Sequence, residues 1–284
     1  MDTRTGTLDV PGATLYYEAR GTGPVLLMIP GGSGDLAPYA TVAAALADRR
    51  TVVAYERRGF SRSTLDRPLT PDDDATRVAT DADDAARLLA HLADAPADVF
   101  GSSSGAVVAL DLMARHPETV RLLLPHEAPV LTLLPDRDDL AKMLDGVYGT
   151  YLASGVGPAM AEFGAAVFGH AGSPAPGGGA GGGAPSPEMA EMAARVQVNL
   201  PFWMEHELRT YPRYPVDADA LRAVADRIVP LCGHDSRGQF PYRANAAVAD
   251  LLARPVTETP GGHVGYITHP DTFPPALAEA LAGA

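Results

Sequence analysis

The sequence predicts an α/β fold: a mostly parallel central sheet, helices on its flanks, and one inserted helical region. Three observations carry that expectation. Short unbroken apolar runs recur at 25–29, 51–55, 98–100, 120–124 and 228–231, which suits strands buried on both faces. Helical stretches lie between them, as alternating strands and helices require. Between 134 and 218 the alternation stops and only helical patterning remains.

Each element follows from its own residues. Positions 7–20 alternate about Pro11-Gly12, which predicts an antiparallel hairpin with a tight turn. In 81–92, Ala85, Leu88, Leu89 and Leu92 mark one helical face. Asp81, Asp83 and Asp84 load the first turn, where the helix dipole favours negative charge. The stretches 136–168 and 187–208 read as two long amphipathic helical segments. Between them, GSPAPGGGAGGGAPSP at 172–187 cannot bury a core and is expected to be a mobile surface insertion. The expected division is a core of 1–133 and 219–284, with a helical insertion at 134–218.

Composition narrows the function classes. A chain of 284 residues can bury a sizeable core without a disulfide or metal staple. Against 22 Lys and Arg stand 35 Asp and Glu, a formal charge of -13, which repels phosphate backbones and anionic lipid. Neither a nucleic-acid partner nor a membrane is expected. Cys232 is the single cysteine, beside the apolar residues Ile228, Val229 and Leu231, and reads as an inert core thiol. The opening MDTRTGTLDVPG has no apolar segment of the kind a secretory signal needs. A cytoplasmic protein is expected.

The most informative segment is GSSSG at 101–105, between the apolar run ending at Phe100 and the apolar helix pattern from Ala106 to Met113. Only Ser103 has glycine both two before and two after it. A serine on a sharp strand-to-helix turn sits in strained backbone, and larger neighbours two positions away would collide. An activated serine needs a base, and His263 in PGGHVGY stands out among eight histidines. His91, His116, His170 and His269 read as helix, helix-end or loop residues. No zinc-ligand spacing occurs, so no metal is expected.

With the opening hairpin, IPGGSGD at 29–35, YERRGFSRS at 55–63, GSSSG and PGGHVGY in this order, the sequence resembles the α/β-hydrolase superfamily over nearly its whole length. The resemblance implies a Ser–acid–His triad, and places the 134–218 insertion where that family carries a cap. The usual acid position follows the late strand, where this chain reads Gly233-His234-Asp235-Ser236. Ser236 fills the expected slot, and Asp235 arrives one residue early. Some members place the acid after the preceding core strand, where Glu127 stands, and Glu127 is favoured over Asp235. The backbone N–H groups of Gly32 and Ser104 are the implied oxyanion hole. Pro30 replaces the histidine common in the family. A dinucleotide loop at 31–34 is disfavoured because G-x-G-x-x-G is absent. Glu56-Arg57-Arg58-Gly59 matches a family turn that usually begins with aspartate, and reads as structural.

Five of the eight methionines (Met143, Met160, Met189, Met192, Met204) and the only tryptophan, Trp203, fall in the insertion. They suggest an apolar pocket for an aromatic or polyketide-like acyl compound, although packing of the cap accounts for many of them. His206 and Glu207 are expected to be solvated or structural. The expected activity is hydrolysis of a carboxylic ester or lactone, with no cofactor. Carbon–carbon bond hydrolysis and a non-catalytic receptor on the same scaffold are the alternatives. Oligomeric state stays open, a homodimer included.

Overall fold

The computed structural model describes residues 2–168 and 187–283. The strands are β1 (Thr3–Val10), β2 (Ala13–Gly21), β3 (Val25–Ile29), β4 (Thr51–Tyr55), β5 (Thr64–Leu65), β6 (Ala97–Ser102), β7 (Val120–His126), β8 (Leu231–Gly233) and β9 (Thr257–Thr259). The helices are α1 (Ala40–Leu46), α2 (Pro71–Leu92), α3 (Ser104–Arg115), α4 (Arg137–Ser154), α5 (Val156–Phe168), α6 (Pro187–His206), α7 (Ala218–Arg222), α8 (Phe240–Leu251), α9 (Gly265–Thr268) and α10 (Phe273–Ala282). These strands form one sheet in the order β1-β2-β4-β3-β6-β7-β8-β9, with β5 beside β2. From β4 across to β9 every pairing is parallel, while β1, β2 and β5 pair antiparallel.

The apolar runs are unbroken because successive residues serve opposite faces of the sheet. Leu27, Ile29, Val53, Tyr55 and Val99 pack under α2, α3 and α8. Leu26, Met28, Val52, Ala54 and Phe100 pack under α1 and α10. A third apolar cluster, including Leu144, Val147, Trp203 and Met204, joins α4, α5 and α6 to Phe60, Phe240 and Ala244 of the core. Among the described residues no helix is long and apolar enough to cross a membrane.

Three expectations need adjustment. The run at 228–231 is not one strand: Ile228 makes an isolated bridge to Leu123, and β8 begins only at Leu231. Pro230 has no N–H to donate to a continuous ladder. The stretch 136–168 is two helices, because Gly155 takes a left-handed φ of 84° and ends α4. α2 starts well before residue 81, with Pro71 in its first turn and the Thr70 N–H donating to Asp73 at 2.7 Å. The glycine-rich stretch, expected to be mobile, lies outside the described residues up to Pro187, as does His170.

Candidate active site

The parallel strands all deliver their carboxyl ends to one edge, and β3 is the strand where the order reverses, with β4 on one side and β6 on the other. Such a switch point opens a crevice between neighbouring loops. Here it sets the 30–35 loop after β3 beside the turn after β6.

Ser103 is that turn. Its φ of 55° and ψ of -126° lie outside the ordinary regions for a residue with a side chain. Its N–H donates to the His126 carbonyl at 3.0 Å, and its own carbonyl starts α3 by accepting from Ala106 at 2.9 Å. The flanking glycines are needed for space. A Cβ on Gly101 would stand 2.5 Å from the Gly105 carbonyl oxygen, and one on Gly105 the same distance from that of Pro30. Among the described residues neither the Gly32 nor the Ser104 N–H donates to another protein group.

Glu127 follows directly on β7. Its positive φ of 49° turns the chain abruptly and carries the carboxylate under the end of β8. There it is fully buried. Oε1 accepts from the Gly233 N–H at 2.9 Å and from the Ser236 hydroxyl, while Oε2 accepts from His263 Nδ1 at 2.6 Å. Burial alone would raise its pKa. The His263 bond and charge, the His126 charge and the Ser236 bond outweigh that and hold it at about 2. An ionised Glu127 accepts only, so the proton of a neutral His263 sits on Nδ1 and Nε2 is left with its lone pair.

Ser103, Ser104 and His263 line one cavity of about 30 Å³ with Leu144, Phe163, Val167, Phe168, Trp203, Glu207, Leu208 and Phe240. Asp235 is not part of it. The Asp235 side chain is exposed, although its N–H donates to the Gly261 carbonyl at 2.9 Å. Of the two candidate carboxylates, only Glu127 reaches the histidine.

Glu56-Arg57-Arg58-Gly59 is structural in a specific way. Arg57 is completely buried and donates to Pro30 O and Gly31 O, each at 2.9 Å, to Asp81 at 2.9 Å, and to both Glu207 oxygens at 2.6 and 2.7 Å. Arg58 makes a two-pronged pair with Asp84 at 2.7 Å, and Glu56 takes the Arg62 guanidinium. Glu207 is therefore a buried ion-pair partner, and His206 lies 2.8 Å from Asp74 of α2. Cys232 is buried, which pushes its thiol up to about 12. No group of three or more His, Cys, Asp or Glu among the described residues could hold a metal ion.

Two supporting residues escaped the sequence reading. Ser236 was visible as an acid-slot replacement, yet its hydroxyl acts as a donor to Glu127. Asn245, buried on α8, donates to Pro125 O at 3.1 Å and Leu231 O at 2.8 Å, and accepts from the Ala128 N–H at 3.3 Å. It thereby ties down the chain on both sides of Glu127. A polar residue on the apolar face of FPYRANAAVADL was the available signal.

Residues 24–173, more than half of the chain, match the family model described as alpha/beta hydrolase fold. The chain is 36% identical to the uncharacterized hydrolase YraK of Bacillus subtilis, over 99% of this chain and 97% of that one. It is 28% identical to a zearalenone hydrolase from Bionectria ochroleuca, over 98% of both chains. Among solved structures, a thermophilic esterase from Thermogutta terrifontis superposes with a TM-score of 0.71 at 19% identity, covering 100% of this chain and 99% of that one. An E-2-(acetamidomethylene)succinate hydrolase superposes with a TM-score of 0.65 at 20% identity, covering 99% and 98%. At such identities the structural likeness speaks for the fold alone. With the family model and the Bacillus relative both spanning the strained serine turn, the chain is a hydrolase that belongs to the α/β-hydrolase family.

Proposed function

We propose that the protein is a serine hydrolase that cleaves a carboxylic ester or lactone of an apolar small molecule through an acyl-enzyme. The observation that carries this reading is the 2.6 Å bond between buried Glu127 and His263, beside a serine with a φ of 55°. In this reading 134–218 is a cap over a core of 1–133 and 219–284.

Ser103 Oγ attacks the carbonyl carbon while His263 Nε2 takes the hydroxyl proton. The resulting imidazolium is stabilised by Glu127, which stays ionised. The carbonyl oxygen becomes an oxyanion held by the Gly32 and Ser104 N–H groups, each typically worth on the order of 10²–10³ in rate. Collapse breaks the acyl C–O bond, and His263 returns the proton to the departing alkoxide. Water, deprotonated by the same imidazole, then attacks the acyl-enzyme and releases the acid. In a lactone both products stay in one molecule.

Phe163, Phe168 and Trp203 around the serine support an apolar substrate, and the similarity to a zearalenone hydrolase makes zearalenone a reasonable lactone probe. The cavity of about 30 Å³ is far below the roughly 300–1,000 Å³ of ordinary ligand sites. Admission of a substrate therefore requires the lining to open.

Intact mass after treatment with a fluorophosphonate tests the reading. Wild type is expected to gain one adduct and Ser103→Ala none, with ester turnover in the variant falling by about 10⁴–10⁶. An unlabelled but folded wild type, or full turnover in Ser103→Ala, overturns it. Product masses then separate ester or lactone opening from carbon–carbon cleavage.

A further inference from the structure

The loop that would supply one oxyanion donor is held from the inserted region, by residues about one helical turn apart. Arg195, Asn199, Trp203 and Glu207 are spaced by four, so they share one face of α6 and its continuation, spanning about 18 Å. They meet the 30–35 loop in reverse chain order. Arg195 Nε donates to buried Asp35 at 2.6 Å. Asn199 Nδ2 donates to Ser33 O at 2.7 Å, and its oxygen accepts from the Ser61 N–H at 2.9 Å. The Trp203 ring covers Gly32, where a Cβ would stand 2.8 Å from Trp203 Cδ1. Glu207 clamps Arg57 with both oxygens, and Arg57 in turn holds Pro30 O and Gly31 O.

The last contact has a geometric consequence. In a trans peptide the C=O of one residue and the N–H of the next lie in one plane and point in opposite directions. Binding Gly31 O to Arg57 at 2.9 Å therefore aims the Gly32 N–H the other way. A second anchor at Ser33 O fixes the far side of the same turn. Loops of this kind are otherwise mobile, and a donor that must reorganise during the reaction loses most of its catalytic worth.

We propose that this face of α6 is the positioning element of the oxyanion loop: Glu207 through Arg57, Asn199 at Ser33 O and Arg195 at Asp35 together set the direction of the Gly32 N–H. The inserted helix thus completes the reaction centre in addition to covering it. The proposal rests on Ser103 being the acylated nucleophile, and its test is arranged so that the two fail separately.

Glu207→Gln, Asn199→Ala and Arg195→Gln are compared with wild type. Arg195 lies at the partly exposed end, so its change removes one contact without emptying the core. Fluorophosphonate labelling counts active sites, and p-nitrophenyl butyrate hydrolysis is expressed per labelled site. An alkyl trifluoromethyl ketone reports the oxyanion hole through its tetrahedral adduct, and the matching methyl ketone reports ground-state binding. The expected result is a kcat at least about tenfold lower for Glu207→Gln and Asn199→Ala, and about threefold lower for Arg195→Gln, with KM within about twofold. Trifluoromethyl ketone affinity should fall in parallel while methyl ketone affinity holds. Amide hydrogen exchange across 31–35 should also accelerate in each variant. A lower melting temperature with unchanged kcat per labelled site overturns the proposal, as does equal loss of both ketones. An unlabelled wild type sinks the serine reading and with it the catalytic role. Unchanged exchange in the loop sinks the anchoring itself, whichever way the labelling falls.

Discussion

The ends of β7 and β8 lie side by side, paired in parallel through His126 and Leu231, and each is followed in the sequence by a carboxylate that could partner His263. They differ in burial. Glu127 turns inward at φ 49° and has a donor for each oxygen, whereas Asp235 stays in solvent. A carboxylate can be taken out of water only where its lone pairs are met. The β8 end supplies those donors to its neighbour, through the Gly233 N–H and the Ser236 hydroxyl. An acid at 236 would instead set two carboxylates against each other. The acid and the serine are thus complementary: moving the carboxylate to β7 leaves the β8 slot for a donor.

Under the proposed mechanism the largest test of this contrast is Glu127→Gln. It should lower kcat by about 10³–10⁴, as loss of a triad acid does elsewhere, while Asp235→Asn stays within about twofold. Steady-state kinetics of the pair decides it, and the reverse ranking would return the acid to β8. Next comes relocation. Glu127→Ala combined with Ser236→Asp should recover at least about tenfold over Glu127→Ala alone, because the acid then approaches His263 from the other strand. No recovery would mean that the β7 turn itself is required.

Ser236→Ala is a smaller perturbation. It removes one of the interactions that hold Glu127 at about 2, so the Glu127 pKa rises and activity falls by about tenfold. The sign for stability follows from the same shift. A carboxyl depressed from 4.5 contributes its full stability above that pH, and the contribution is lost as pH falls towards about 2. In Ser236→Ala that contribution should be smaller and its loss complete at a higher pH, read from urea midpoints between pH 2 and 5. Identical curves would show that the serine bond adds nothing.

The smallest effect concerns His126, just before Glu127 on β7. Complete burial is the main cause that pushes its pKa from 6.5 down to about 4. Between those values the unfolded chain binds a proton that the folded one refuses, so wild type loses stability as pH falls from 6.5 to 4. His126→Phe removes that titration, and Phe100, Tyr266 and Phe273 already form an aromatic setting for the ring. Urea midpoints from pH 4 to 7 should depend less on pH in the variant. An unchanged slope would assign the acid sensitivity to other groups.

Much of the fold was legible because its signals are local. Two parallel-sheet runs, 25–29 and 51–55, match β3 and β4 end to end, since burial on both faces leaves a continuous apolar string. The boundaries that slipped, at Pro230 and Gly155, depend on a missing N–H and a single backbone reversal. In the site, the spacing of GSSSG placed Ser103 on its turn, because two nearby glycines are a local steric requirement. The preference for Glu127 over Asp235 drew on a family pattern and on the cost of an unpartnered acid closing an apolar strand, but the groups that meet its lone pairs lie far from it along the chain.

The order of strands and helices along the chain and the sharp turn at Ser103 are written in neighbouring residues. Those properties depend on sterics and on hydropathy within a few positions. The pairing of Glu127 with His263, the hydroxyl of Ser236, Asn245 below them and the Arg57–Glu207 clamp join residues 14 to 150 positions apart. Their identity is set by which groups meet when the sheet edge closes and the inserted helices dock. Buried charge must find its partner there, and no local pattern specifies that partner in advance.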